Sequence, residues 1–145
     1  MLGKDHADTA ESYFFLGLNY SRQNDLFNSI ENYRKALDIR REILGNEHPL
    51  TALACNNIGS VNYRAGNYQK ALEYHLEALE IKRKLADKAD LAFACNKAAM
   101  DNEALGDKEH ALEYYEQALE IYSSIDHSDA DEIRQSIARL KGEPE

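Results

Sequence analysis

Apolar residues recur at intervals of three and four along almost the whole chain, interrupted only by short polar breaks. That interval stacks side chains on one face of an α-helix, so the pattern predicts helices throughout. A first helix is expected at about 7–22 and a second at about 26–43, parted by Gln23-Asn24-Asp25. Two more are expected at about 52–64 and 68–85, where Gly66 in Ala65-Gly66-Asn67 supplies the permissive backbone of a helix stop. A third pair falls at about 89–105 and 108–124, broken at Gly106-Asp107. Pro49 stands near a helix start, where its missing N–H is harmless. A seventh helix, at about 129–141, gathers Ile133, Ile137 and Leu140 on one face and leaves Asp131, Glu132, Arg134 and Arg139 largely elsewhere, as a terminal cap does.

These stretches are copies of one another. Leu2-Gly3-Lys4-Asp5-His6 returns as Leu44-Gly45-Asn46-Glu47-His48, and Gly17, Ala36 and Leu37 return as Gly59, Ala78 and Leu79, an offset of 42 residues. Gly66, Ala71 and Ala78 return as Gly106, Ala111 and Ala118, an offset of 40. Helix pairs repeating at this spacing bury their apolar faces on one another, which predicts an all-α solenoid of three hairpins (about 7–43, 50–85 and 89–124) plus the cap, in a single domain over 1–145. Such a fold recognises partners along a surface instead of enclosing a reaction centre. In the second copy the Leu-Gly…His segment closes a long helix, whereas Leu2-Gly3 has only Met1 before it. The expectation is a piece of a longer array or protein to which Met1 has been added.

Composition narrows the function. A formal net charge of −9 repels phosphate backbones, and the basic residues form no stripe, which argues against nucleic acid. No apolar run approaches the roughly 18 residues that span a bilayer, and the first residues lack a signal peptide's apolar core, so neither a membrane partner nor secretion is expected and the location is read as cytoplasmic. Cys55 and Cys95 occupy the same slot in neighbouring copies. Helix packing holds such slots about 10 Å apart, beyond the ~7 Å Cα limit of a disulfide, so both are read as small buried thiols.

The run Asn56-Asn57-Ile58-Gly59, Gly66-Asn67-Tyr68, Ala71-Leu72 and Ala78-Leu79-Glu80-Ile81 resembles the tetratricopeptide repeat. With Leu44-Gly45-Asn46-Glu47-His48-Pro49 it is similar to the long-helix variety of kinesin light chains. The third copy departs from it, with Ala99 for glycine, Lys108 where the second copy has Tyr68, and Ala86-Asp87-Lys88-Ala89-Asp90 for the Leu-Gly…His segment. The resemblance implies a right-handed superhelix whose first helices line a concave, peptide-binding surface.

Turning 100° per residue from Gly17, Gly59 and Ala99 separates two faces of these first helices. Tyr13, Leu16, Gly17 and Tyr20, with Cys55, Ile58, Gly59, Asn62, Cys95, Ala98, Ala99 and Asn102, form the packing side. The groove side takes Phe14, Leu18, Arg22, Leu53, Asn56, Ser60, Tyr63, Arg64, Phe93, Asn96, Met100 and Glu103. Asn56 and Asn96 carry amides that both donate to and accept from a peptide backbone, and the aromatic and aliphatic members offer apolar contact. Plainer roles stand beside these. Phe14 and Leu18 could cover an upstream hairpin, the asparagines could cap local backbone, and Arg22 and Arg64 could pair with glutamates on neighbouring helices. A clamp for a C-terminal carboxylate, known in one subclass, is not matched, since Lys97 is the single lysine near that face of the third first-helix.

Catalytic chemistry finds no support. The histidines are scattered, no Cys-x-x-Cys or histidine pair has zinc spacing, and no phosphate loop or nucleophile with a base is present. His75 falls in the slot of Tyr33 and Tyr115 and reads as a packed aromatic substitute; Ser128 or Asp129 reads as a helix N-cap. The chain is thus expected to be a non-catalytic scaffold, without cofactor or metal, that binds a peptide segment of a protein partner, with weak self-association through uncovered repeat ends. The alternative is a regulatory segment of a larger signalling protein that contacts its own neighbouring domain.

Overall fold

The computed structural model describes residues 4–144, with side chains from His6 onward. Seven helices follow in order: α1 (Lys4–Arg22), α2 (Leu26–Leu44), α3 (Pro49–Arg64), α4 (Tyr68–Leu85), α5 (Lys88–Ala104), α6 (Lys108–Ser124) and α7 (Ala130–Lys141). No strand occurs among the described residues. The architecture is an α-solenoid of three hairpins with a final helix packed on α6.

Helix starts differ from the pattern-based reading in an instructive way. Helix α3 begins at Pro49, three residues early, because proline takes the first helical position and His48 accepts the Leu50 N–H on Nδ1 at 3.1 Å. Residue 7, the matching place in the first copy, is alanine, and α1 runs on through it from Lys4. Of the Leu-Gly…His segment that opens the first copy, Leu2 and Gly3 lie outside the described residues. At α7, Asp129 is the N-cap residue but its side chain makes no capping bond; its N–H donates instead to His127 Nδ1 at 3.2 Å.

All three hairpin turns are built alike. The N–H groups of Asp25, Asn67 and Asp107 reach back five residues to the carbonyls of Tyr20, Asn62 and Asn102 at 2.9, 2.9 and 2.8 Å. This closure needs a left-handed residue just before it. Gly66 and Gly106 meet that need at φ 80°, and Asn24 does so at φ 60°.

Extensive helix packing runs only between neighbours in sequence, α1 on α2 through to α6 on α7. The core is therefore a chain of linked clusters. Tyr33, Leu37, Cys55 and Ile58 join the first two hairpins, Leu79, Cys95 and Ala118 the next two, and Tyr115, Tyr122, Ile133 and Ile137 close the last hairpin against α7. Burial of Ile133 and Ile137 stabilises the end by roughly 1.5–3 kcal/mol each. Both cysteines are buried and unpaired, and burial pushes the Cys55 thiol up to about 12.

Small residues on the first helices admit large ones from the second. A Cβ on Gly17 would lie 2.7 Å from the Tyr33 ring, and one on Gly59 would lie 2.5 Å from His75 Nε2. The expected packing side holds fully on α3 and α5 and only partly on α1. Leu16 is 44% exposed, while its counterparts Ile58 and Ala98 are fully buried. Each of α3 and α5 has the second helix of the preceding hairpin against it, and α1 has no such neighbour among the described residues.

Candidate functional site

The first helices α1, α3 and α5 lie one after another along the array, and the residues expected to face the groove are placed at accessible positions. Phe14, Leu18, Asn56, Ser60, Tyr63, Asn96, Met100 and Glu103 are half-buried, while Arg22, Leu53, Arg64 and Phe93 are exposed. None is sealed in the core. Three cavities gather most of them. Phe14 and Leu53 line one of about 360 Å³, Ser60, Tyr63, Arg64 and Met100 one of about 140 Å³, and Tyr63, Asn96, Met100 and Glu103 one of about 470 Å³. Leu18, Arg22, Asn56 and Phe93 lie outside these three.

Local contacts decide which groups are free to meet a partner. The Asn56 amide oxygen is buried and has no hydrogen-bond partner, so its capacity to accept is unspent. Arg64 does not pair with a glutamate, as the plainer sequence reading had it. Its guanidinium donates to the Ser21 hydroxyl, the Ser21 carbonyl and Asn24 Oδ1 at 2.6, 3.1 and 3.1 Å, tying hairpin two to the turn of hairpin one. Tyr63 meets Tyr68 edge to face at 5.1 Å, and burial raises its phenol above the usual range. Glu103 is already committed. It accepts from Arg139 and from the Tyr115 hydroxyl (2.8 Å), and the bond from Arg139 foremost holds its carboxyl below the ordinary value. Its part is to fasten α7, leaving little for a ligand.

Sequence reasoning missed two groups. The first is the pair beside the 140 Å³ cavity, where His75 Nδ1 lies 2.5 Å from Asp101 Oδ2, with the two side chains 1% and 0% exposed. Asp101 Oδ1 has no partner, and burial raises this carboxyl above its ordinary value despite the imidazole. The signal was present: Asp101 takes the slot of the buried Val61, one copy after a histidine replaces a tyrosine. The second is Arg40, a cation only 6% exposed.

No group of three or more His, Cys, Asp or Glu residues that could hold a metal occurs among the described residues. No helix there is long and apolar enough to cross a membrane.

Residues 8–84 and, overlapping them, 51–124 match the tetratricopeptide repeat. The chain belongs to the tetratricopeptide repeat family, whose fold serves protein–protein interaction and whose members are generally non-catalytic. Among solved structures it is similar to the apo form of RapI, with a TM-score of 0.87 and 21% identity over 96% of this chain and 38% of that one. It is also similar to the nearly identical repeats of a putative kinesin light chain from Podosopora anserina, at 0.80 and 19% over 93% and 66%. A Rap protein complexed with competence and sporulation factor matches at 0.77 and 22% over 95% and 38%. The chain thus spans about two fifths of the Rap proteins it matches. At these identities the likeness concerns the fold. Comparison with curated protein sequences finds no match.

Proposed function

We propose that the chain holds an extended segment of a partner protein along the face formed by α1, α3 and α5, without catalysing a reaction. Asn56 and Asn96 act as backbone clasps: each amide offers one donor and one acceptor to a peptide unit, and the two sit in the same slot of consecutive first helices. Tyr63, Met100, Leu53 and Phe93 supply apolar contact around them, while Arg22 and Ser60 add polar reach. The observation that carries the reading is the unspent Asn56 oxygen. An acceptor withdrawn from water with no partner costs about 1–3 kcal/mol, and a turn of the half-buried Asn56 side chain that brings this oxygen out to a peptide N–H recovers that cost on binding. A solved Rap protein of the same fold is described in complex with competence and sporulation factor, which supports ligand capture on such an array.

Partner capture on the immobilised array, read by mass spectrometry beside an Asn56→Ala/Asn96→Ala variant, tests the proposal. Partners retained by the native chain and lost by the variant, at unchanged melting temperature, are the expected result. Equal recovery on both would remove the asparagines from the site.

A further inference from the structure

The cavity of about 360 Å³ lies between the first half of α1, the end of α2 and the start of α3. Its walls are apolar, and Phe15, Leu44, Leu50 and Leu53 are 51, 38, 41 and 41% exposed around it. One charged side chain, Arg40, lines it while 94% removed from solvent, its residual exposure being 6%. The guanidinium lies 4.4 Å over the Phe14 ring and donates from Nη1 to the Leu50 carbonyl at 3.0 Å. A guanidinium carries five N–H donors, so most of its capacity is unspent. Among the described residues no carboxylate comes within ion-pair distance of it. Burial pushes the Arg40 guanidinium below its ordinary value, Glu11 partly offsets this from the cavity rim without reaching it, and Asp8 shares that exposed rim. A buried cation with no anion is costly, and proteins ordinarily pair or neutralise it.

The internal repeat shows what is missing. In the next copy the slot of Arg40 holds Lys82, and the slot of Leu50 holds Asp90. Those two form an ion pair at 2.8 Å. Leucine at residue 50 thus deletes the anion of this junction, keeps its cation and makes the space around it apolar.

We propose that this cavity is a binding site for a small amphipathic carboxylic acid. The carboxylate accepts from Arg40, and the apolar body lies between Phe15, Leu44 and Leu53. The volume falls in the range of small-ligand pockets, roughly 300–1,000 Å³. Apart from Arg40 the charged side chains lining the cavity are Asp8 and Glu11, both exposed, so peptide amides seated against the apolar wall of Phe15, Leu44 and Leu53 would be stranded there; a free acid has none to satisfy. The site shares Leu53 with the groove face but needs neither Asn56 nor Asn96, so an Asn56→Ala/Asn96→Ala variant that loses its partner should still bind the acid.

Octanoate, octan-1-ol and octylamine titrated into the isotope-labelled chain, followed by amide and arginine-side-chain NMR, test it. Saturable shifts at Phe14, Phe15, Leu50, Leu53 and the Arg40 Nε–H with octanoate are expected, the alcohol and amine binding about tenfold more weakly or worse. Arg40→Met should abolish the preference for the acid over the alcohol. Should that variant fail to fold, Leu53→Asp, at an exposed rim, should weaken octanoate by about tenfold at unchanged melting temperature. Equal shifts from all three probes, or none at these residues, would overturn the site. So would tighter binding of N-acetyl-Gly-Gly-Leu than of octanoate, which would assign the cavity to a chain terminus instead.

Discussion

Gly59 makes room for His75: a Cβ at residue 59 would stand 2.5 Å from the imidazole Nε2, closer than any real side chain tolerates. His75 cannot step aside easily, because its other nitrogen is held 2.5 Å from Asp101 on α5. A glycine on α3, a histidine on α4 and an aspartate on α5 therefore fix the joint between the second and third hairpins.

Gly59→Ala should destabilise the chain by about 1–3 kcal/mol through overpacking, outweighing the roughly 1 kcal/mol that alanine gains over glycine in a helix. In a His75→Ala background the same change should become neutral or stabilising. Urea unfolding of the four proteins gives the coupling directly, and additive effects would contradict the contact.

The joint should also respond to acid. Burial holds the Asp101 proton to a higher pH in the folded chain than the ordinary 3.8. Between those two values the unfolded state binds fewer protons, so this group's contribution to stability falls as pH rises through the window. Asp101→Asn removes that term. Unfolding free energies followed upward from pH 3.8 should show the native chain losing stability relative to the variant, and parallel curves would reject the account.

Much of this joint was unreadable in the sequence, and the reason is physical. Periodicity and self-similarity carried the helices, the hairpins and the packing side that holds Gly17, Gly59 and Ala99, because each rests on residues that recur at a fixed offset. Asp101 and Leu50 matter by departing from their counterparts, Val61 and Asp90. A buried acid in the slot of Val61, or a cation whose neighbour has become Leu50, shows its meaning only when depth and distance are known. That the residues expected to face the groove stay out of the core was legible from helical spacing. Which of its members are already engaged, as Glu103 and Arg64 are, depended on contacts from α7 and the first turn that no spacing encodes.

The cysteines should be inert while the chain is folded. With the Cys55 thiol pushed up to about 12, only roughly one molecule in ten thousand is thiolate there at pH 8. Ellman's reagent should label neither Cys55 nor Cys95 in buffer and both in denaturing urea. Rapid reaction in buffer would show that the junctions open far more readily than their burial implies.

The Leu16 and Phe15 side chains, 44 and 51% exposed on α1, should promote weak association of the chain with itself. Sedimentation velocity should show a weight-average mass that climbs with concentration and ceases to do so in a Leu16→Glu variant. A constant monomer mass for the native chain would contradict this.

The groove itself is tested most directly by amide hydrogen exchange of the chain with and without a partner segment recovered by capture. Protection confined to α3 and α5 around Asn56, Tyr63, Asn96 and Met100, extending to α1 for a long segment, is the predicted result. Protection concentrated on α4 and α6 would place the partner on the opposite side of the array and contradict the proposal.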